Sequence, residues 1–496
     1  MSTSNPVTLE QANRPAEGFP SDLLVDLRAG AGGGLRERLE HGLRAAIQGR
    51  RLAAGTPLPP SRVLAAELGI SRSVVVEAYA NLAADGYVEG RQGAGTRVRL
   101  DVGEERRRPR PAGPRYDSER YFARPREASQ SGAPPIRLLG GLPDPALFPR
   151  AQWLRHYRTA LAELPDAQLT YPSTRGAGAL RRALSGYLGR VRGVATTPDR
   201  LLVCAGFTQG LTLVCRALVR AGARRVAVEE PCFGLHRRAI AMTGLVPVPV
   251  AVEFGGIDAA DLEAHDVAAV LVAPAHSYPI GATLDARRRR ELVAWARRSD
   301  ALIIEDDYDA EFRYDRLPIG ALQGLAPDRI VYVGCASKTL TPALRLGWVA
   351  APPDLIDAIE REKRFDDMGS ALIEQLAFAR FVERGDFSRH LRRVRPIYRG
   401  RRDATIAALA EHLPEATWRG AAAGLHLHVT LPPDVDERAL AHAAFERGVL
   451  VEDARWHWAD GAAVPPSLVL GYGAIPEPAV DRAIAIVAEV VAELRR

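Results

Sequence analysis

The sequence predicts a multidomain chain in which a small helical module closed by a hairpin is joined, through a polar linker, to a large α/β domain. Three observations lead there. At 496 residues the chain has room for two to four domains of roughly 100 to 200 residues each. Its texture changes near residue 100 and again near residue 135. After Ile136, short apolar runs alternate with amphipathic segments, the pattern of strands and helices that builds a largely parallel sheet.

Composition narrows the class. With 47% hydrophobic and 25% charged residues, a chain disordered throughout is excluded. Residues 1–32 read as a tail, its start from Met1 to Pro20 lacking a basic cluster that leads into an apolar stretch, and no apolar run is long enough to span a bilayer. A cytoplasmic protein with no membrane partner is expected. Cys204, Cys215, Cys232 and Cys335 lack metal-ligand spacing, so no metal is expected and Cys232 and Cys335 read as small apolar fillers. A net charge of +6 permits nucleic-acid binding without requiring it. Of 66 Lys+Arg, only Lys338 and Lys363 are lysine. A lysine that survives where arginine serves everywhere else is a candidate for amine chemistry, since only an amine loses its proton near neutral pH and attacks a carbonyl. Lys363, inside the charged stretch from Glu360 to Asp367, is expected on a solvated face.

Residues 33–100 form the first module. Leu35, Leu39, Leu43 and Ile47 recur every four residues and mark an amphipathic helix that ends near Gly49. The rigid turn Gly55-Thr56-Pro57-Leu58-Pro59-Pro60 follows, after which Ser61 is expected to cap a short helix carrying Leu64, Ala65 and Leu68. Gly69-Ile70 breaks it. Ser71 caps a third helix, Ser71 to Ala83, with Val74, Val75, Ala78 and Leu82 inward and Arg72 and Ser73 exposed on its first turn. Two short helices joined by a glycine turn make a helix-turn-helix, whose second member offers its N-terminal residues to base edges in the major groove. Gly86 to Leu100 reads as two strands around Gly90-Arg91-Gln92-Gly93-Ala94-Gly95, a wing.

Leu58-Pro59, Arg62, Leu64-Ala65, Leu68-Gly69-Ile70-Ser71-Arg72, Tyr79, Leu82, Gly86 and Gly93-x-Gly95 together resemble the winged-helix domain of GntR-type regulators. That resemblance implies a double-stranded DNA operator as partner. It implies that Arg62 and Arg72 contact phosphate or guanine, that Ser71 and Ser73 contact backbone or bases, and that Arg91, Gln92 and Gly93 enter the minor groove. Residues 101–135, with Arg106-Arg107-Arg108-Pro109-Arg110-Pro111, form an Arg/Pro-rich linker whose composition cannot bury enough apolar surface to offset ordering.

The large domain occupies residues 136–496. Strands are expected at Leu201 to Cys204, Val226 to Val228, Ala269 to Val272, Leu302 to Ile304, Ile330 to Val333 and Leu346 to Ala350. Lys338 follows one strand in Ser337-Lys338-Thr339, and Arg345 lies seven residues on, suited to clamp a phosphate. Upstream, Glu305-Asp306-Asp307-Tyr308 ends a strand in carboxylates and a phenol. Pyridoxal phosphate needs such a set: an amine for the Schiff base, a carboxylate opposite the pyridine nitrogen and a phenol near the ring oxygen. Cys204 to Gly210 joins a strand to a helix, so its N–H groups and the helix N-terminus offer an anion site. Glu230-Pro231-Cys232-Phe233 brings an aromatic to a strand end, and Pro274-Ala275-His276-Ser277-Tyr278-Pro279-Ile280-Gly281 turns at Pro-x-Gly.

In that order the motifs resemble fold-type I aminotransferases, and with the winged helix they resemble the MocR/GabR subfamily of transcription regulators. Gly140-Gly141-Leu142-Pro143-Asp144, Trp153 and the block Tyr171 to Gly193 extend the match from about Leu35 almost to the C-terminus. The resemblance implies a fold-type I pyridoxal-phosphate-dependent transferase domain, with a large subdomain of about 165–365 and a smaller C-terminal α/β subdomain of about 366–496. It makes Lys338 the catalytic, coenzyme-bearing lysine, Asp306 the partner of the pyridine nitrogen and Tyr308 that of the ring oxygen. Arg345, Ser337, Phe207, Thr208 and Gln209 would hold phosphate, Phe233 would stack on the ring, and Tyr278 and His276 would line it. Tyr171 would reach the partner's phosphate in a head-to-tail homodimer.

Departures narrow the ligand. Val469-Leu470-Gly471-Tyr472 lacks the arginine often found on the last strand, and Leu235 stands where the GABA-responsive member has a second arginine. Cys335 replaces a usual hydroxyl and Ser277 a common glutamine. A pyridoxal-phosphate-dependent regulator is therefore expected, sensing the coenzyme or a small amine through Lys338 and tied to vitamin B6 or amino-acid metabolism. Two alternatives stay open at this point: an active aminotransferase with an accessory DNA-binding domain, and a regulator whose large domain has lost the coenzyme and only dimerises.

Overall fold

The computed structural model describes residues 34–49, 51–91, 95–99, 136–253, 255–314, 319–459 and 464–496. The tail, the linker, Gln92, Gly93 and the side chain of Arg91 lie outside the described residues. The chain divides into two compact units between residues 116 and 117.

In the first unit, helix α1 (Leu35–Gln48) buries Leu39, Leu43 and Ile47 on one stripe, as its four-residue spacing requires. Helices α2 (Ser61–Leu68) and α3 (Arg72–Ala84) are separated by Gly69, whose φ of 65° is the left-handed conformation that glycine adopts without strain. Ser71 caps α3 by accepting from the Val74 N–H at 3.4 Å. Ser61 does not cap α2. Pro60 holds that position with extended backbone and Ser61 is already helical, because the fixed proline φ starts the helix one residue early. Strands β1 (Val88–Arg91) and β2 (Gly95–Val98) pair antiparallel, and Val88 and Val98 close the core formed by the three helices.

In the second unit, β3 (Ile136–Arg137) leads into the large domain, where eight strands among the described residues form one sheet. They are β4 (Leu201–Cys204), β5 (Arg225–Glu230), β6 (Val246–Glu253), β7 (Gly256–Ile257), β8 (Ala269–Val272), β9 (Leu302–Asp307), β10 (Ile330–Cys335) and β11 (Gly347–Ala350). Their order is β4-β11-β10-β9-β8-β5-β6-β7. Strands β6, β5, β8, β9 and β10 run parallel, while β11 returns antiparallel between β10 and β4. Strands β4, β8 and β10 are buried along their length, the signature of a sheet covered on both faces. Sequence reading passes over β6 because Pro247 and Pro249 interrupt it. The register resolves this: Val246 donates to Arg224 on the β5 side, so by period two both prolines turn their missing N–H groups outward.

A second sheet, β12-β13-β16-β15, is built from β12 (Thr417–Arg419), β13 (His426–Thr430), β15 (Glu452–Asp453) and β16 (Ser467–Gly471), while β14 (Val449–Leu450) pairs with β3. The segment after β3 is pressed onto β16. Gly471 donates to Leu138 at 2.8 Å, and a Cβ on Gly471 would lie 1.8 Å from the Leu139 carbonyl oxygen.

Lys363 is not on a solvated face. The charged stretch lies in the helix Pro353–Asp366, whose spacing turns Ile356, Ile359 and Lys363 into the core and Arg361 and Arg364 outward. The fully buried ammonium donates to Asp367 Oδ2 and, at 3.0 Å, to Ser370 Oγ.

Candidate functional site: a helix-turn-helix face and a lysine pocket

In the N-terminal unit, Arg62, Ser71, Arg72 and Ser73 are all exposed, on α2 and at the start of α3. Ser71 and Ser73 share a 2.9 Å hydrogen bond and Arg72 Nε donates to Ser61 at 3.5 Å, so the polar groups at the helix N-terminus are mutually oriented yet solvent-facing. A helix N-terminus lined by arginine and hydroxyl groups suits an anionic backbone, and its first residues are those that reach base edges.

The pocket of the large domain is assembled from strand ends. Helix α4 (Phe207–Arg220) begins directly after β4, its first N–H groups belonging to Phe207, Thr208 and Gln209. Gly206 precedes it with φ 93°, and a Cβ there would lie 3.2 Å from an Arg345 guanidinium nitrogen. Arg345 donates to the Ala205 carbonyl and so lies across the helix N-terminus. Backbone N–H groups, a helix dipole and a guanidinium thus converge on one anion cradle. Gln209 is turned away from it: its amide oxygen accepts from Ala205 N and its nitrogen donates to Asp366 and Asp367.

Strand alternation sorts the carboxylates of β9. Glu305 accepts from the Leu322 and Gln323 N–H groups at 2.7 and 2.8 Å, and Asp307 takes Arg192 at 2.9 Å and the Tyr332 hydroxyl at 2.6 Å. Burial pushes Glu305 up to about 7. Asp306, between them, faces the other side of the sheet. It is buried, and its Oδ1 has no hydrogen-bond partner among the described residues. Burial foremost, then Asp309, Asp307 and Glu229, hold its carboxyl well above the ordinary range, and Lys338 pulls the other way.

Phe233, Tyr278, His236, Glu229 and Cys232 line a narrow cavity with Asp306. His236, on helix α5 (Gly234–Met242), lies 3.8 Å from Asp306 Oδ2 and 4.6 Å, ring to ring, from Phe207. Burial foremost, with Lys338 and His457, lowers it to about 3, so it faces Asp306 as a neutral ring. Tyr308 bonds His276 Nδ1 at 3.1 Å, and the same nitrogen lies 3.0 Å from Asp309. Lys338 is half-buried in the turn after β10, its Nζ 3.3 Å from where a Cβ on Gly141 would lie. Ser337 is half-buried beside it, and the Cys335 thiol, raised chiefly by burial, sits among apolar residues. Tyr171 stands apart at 78% exposure.

These residues fit pyridoxal phosphate. A buried carboxylate oxygen without a partner suits a pyridinium N–H, the α4 cradle suits a phosphate, and an amine and a phenol follow the ends of the adjacent strands β10 and β9. When bound, the coenzyme supplies an electrophilic carbonyl carbon and an electron sink. The chain's part would be to hold its phosphate at Arg345 and α4, keep a proton at its ring nitrogen through Asp306, and present the Lys338 amine. Sequence reading missed His236 and Glu229. His236 had a usable signal, lying one helical turn beyond Phe233.

Comparison with known proteins bears on the family and the fold. Residues 35–98 match the model for bacterial regulatory proteins of the gntR family, and residues 151–457 match aminotransferase class I and II. The chain is 32% identical over 448 residues to the HTH-type pyridoxine biosynthesis transcriptional regulator PdxR of Corynebacterium glutamicum, covering 89% of this chain and 92% of that protein. It is 32% identical over 429 residues to the probable rhizopine catabolism regulatory protein MocR of Rhizobium meliloti, covering 84% and 85%. Among solved structures it resembles the kynurenine aminotransferase of Pyrococcus horikoshii in complex with PMP, at 26% identity and a TM-score of 0.69, covering 76% of this chain and 95% of that one. No helix among the described residues is long and apolar enough to cross a membrane.

Proposed function

The chain belongs to the MocR/GabR subfamily of GntR-type transcription regulators, and from that premise we propose that occupancy of Lys338 by pyridoxal phosphate is the signal that sets its grip on DNA. It is a DNA-binding regulator with an aminotransferase-like domain. The observation that carries the coenzyme reading is the orphaned, buried Asp306 oxygen, in a cavity lined by Phe233, His236 and Tyr278. A regulator would otherwise have no reason to keep so costly a group. Similarity to a regulator of pyridoxine biosynthesis supports the coenzyme itself as effector.

The regulator works as a head-to-tail homodimer in this reading. The exposed Tyr171 reaches the partner's phosphate cradle, and the coenzyme shifts the DNA-binding equilibrium by its different affinity for two dimer arrangements. Arg62, Ser71, Arg72 and Ser73, with Arg91, Gln92 and Gly93, meet the operator. The test is footprinting upstream of the protein's own gene and its neighbours, with and without pyridoxal phosphate. Protection that changes with the coenzyme in wild type, but not in Lys338→Ala, is expected. Identical footprints in both conditions would overturn the reading, and sustained turnover of an amino donor with a keto acid would replace it with an aminotransferase that carries a DNA-binding domain.

A further inference from the structure

Glu452 is a buried carboxylate at the edge of the Lys338 pocket, and it is fully occupied. Its Oε2 accepts from the Gly140 N–H at 3.3 Å and the Tyr278 hydroxyl at 3.2 Å. Its Oε1 accepts from the Trp456 indole N–H at 3.0 Å and lies 3.1 Å from His457 Nε2. Peptide and indole N–H groups can only donate, so each oxygen meets an obligate donor, as an ionised carboxylate requires.

The position is as informative as the bonding. A Cβ on Gly140 would lie 3.2 Å from Glu452 Oε2, and one on Gly141 would lie 3.3 Å from Lys338 Nζ. One dipeptide therefore separates the carboxylate from the amine. Tyr278 continues the contact downward, since it lines the cavity against Asp306 and meets Phe233 edge-on at 5.4 Å. On the other flank Glu452 pairs with the apolar Val469 across β15 and β16.

We propose that Glu452 determines the charge of the ligand admitted beside Lys338: the donors of this corner hold a carboxylate that the chain itself supplies, so the site accepts a small amine and refuses an α-amino acid. A ligand carboxylate arriving here finds its hydrogen-bond donors taken and a like charge in their place. An amine without a carboxylate meets attraction instead. This rests on the reading that Lys338 carries the coenzyme, and the test separates the two.

The first arm titrates the coenzyme-loaded full-length protein with ethylamine and with L-alanine, which differ by one carboxylate, and follows the coenzyme absorbance. Wild type should respond to ethylamine at roughly a hundredfold lower concentration, the order expected for like charges about 6 Å apart at an effective dielectric constant near 20. Glu452→Gln, which keeps the shape and loses the charge, should lose most of that preference. An equal response of wild type to both probes, or an unchanged preference in Glu452→Gln, would overturn the proposal. The second arm needs no coenzyme: the melting temperature of coenzyme-free Glu452→Ala should rise in acetate but not in equal chloride, and wild type should show no such difference. A folded Glu452→Ala that ignores acetate counts against the proposal, whereas a wild type that takes up no pyridoxal phosphate while the variant is rescued by acetate refutes only the coenzyme reading.

Discussion

Replacing Lys363 tests why this chain, which uses arginine almost everywhere, kept a lysine in a helix with no chemistry. The ammonium is fully buried against Asp367 and Ser370. Removing one partner of a fully buried pair costs about 3 to 5 kcal/mol. Asp367 is a quarter exposed and keeps the Gly369 N–H at 2.9 Å and the Gln209 amide at 3.1 Å, so Lys363→Met should cost less, about 1 to 3 kcal/mol, the cost of an under-satisfied buried acceptor. Lys363→Arg keeps the charge but forces a planar fork into space that fits a compact ammonium, an overpacking cost of about 1 to 3 kcal/mol. Thermal unfolding read by circular dichroism should place both variants several degrees below wild type. Burial raises the Asp367 carboxyl, but Lys363, the Gly369 N–H and Gln209 together lower it below its ordinary value. A group depressed on folding contributes fully above its unfolded value and loses that contribution as pH falls through its folded one. The gap between wild type and Lys363→Met should therefore narrow on acidification. A Lys363→Arg variant as stable as wild type, or a gap that ignores pH, would refute the packing argument.

Two further outcomes are expected. Arg72→Ala should weaken operator binding by about 1 to 3 kcal/mol if its guanidinium makes a bidentate base contact, measured by gel shift on operator and scrambled DNA; equal losses on both would make it a phosphate contact instead. Asp306→Asn should weaken retention of pyridoxal phosphate on dialysis by about tenfold to a hundredfold, the worth of a charge-assisted hydrogen bond. The coenzyme-free variant should melt no lower than wild type, since burial already disfavours the charged form; a large loss of coenzyme-free stability would mean that Asp306 is a structural carboxylate.

The sheet was legible where its strands are buried on both faces and so read as plain apolar runs: Leu201–Cys204 and Ala269–Val272 match to the residue. The placement of Asp306, Tyr308, Lys338 and Arg345 at or just beyond strand ends was legible because the flanking apolar runs mark where each strand stops. What escaped depends on partners distant in sequence. Arg192 and Asp307 lie 115 residues apart, and Gly140 and Glu452 are separated by 312, so nothing local marks either pair. Lys363 escaped for a different reason: a composition window averages over all faces of a helix, and only the three-and-four spacing of Ile356, Ile359 and Lys363 separates inside from outside.

Glu452 and the departures at Val469 and Leu235 bear on one another. Taken from sequence, the two apolar residues are absences, each compatible with a site that has lost its ligand. In the structure Val469 lies directly opposite Glu452, so the corner without an arginine is also the corner with a buried carboxylate. A guanidinium next to Glu452 would pair with it and be unavailable to any ligand; an apolar neighbour leaves Glu452 to the four donors it has. A decayed pocket would have no cause to keep four donors converged on one buried carboxylate, because such a group is costly unless satisfied and easily replaced by an apolar one. On the proposal that Glu452 sets the ligand's charge, an arginine at position 469 and Glu452 are alternative solutions to the same corner, one receiving a carboxylate and the other supplying it.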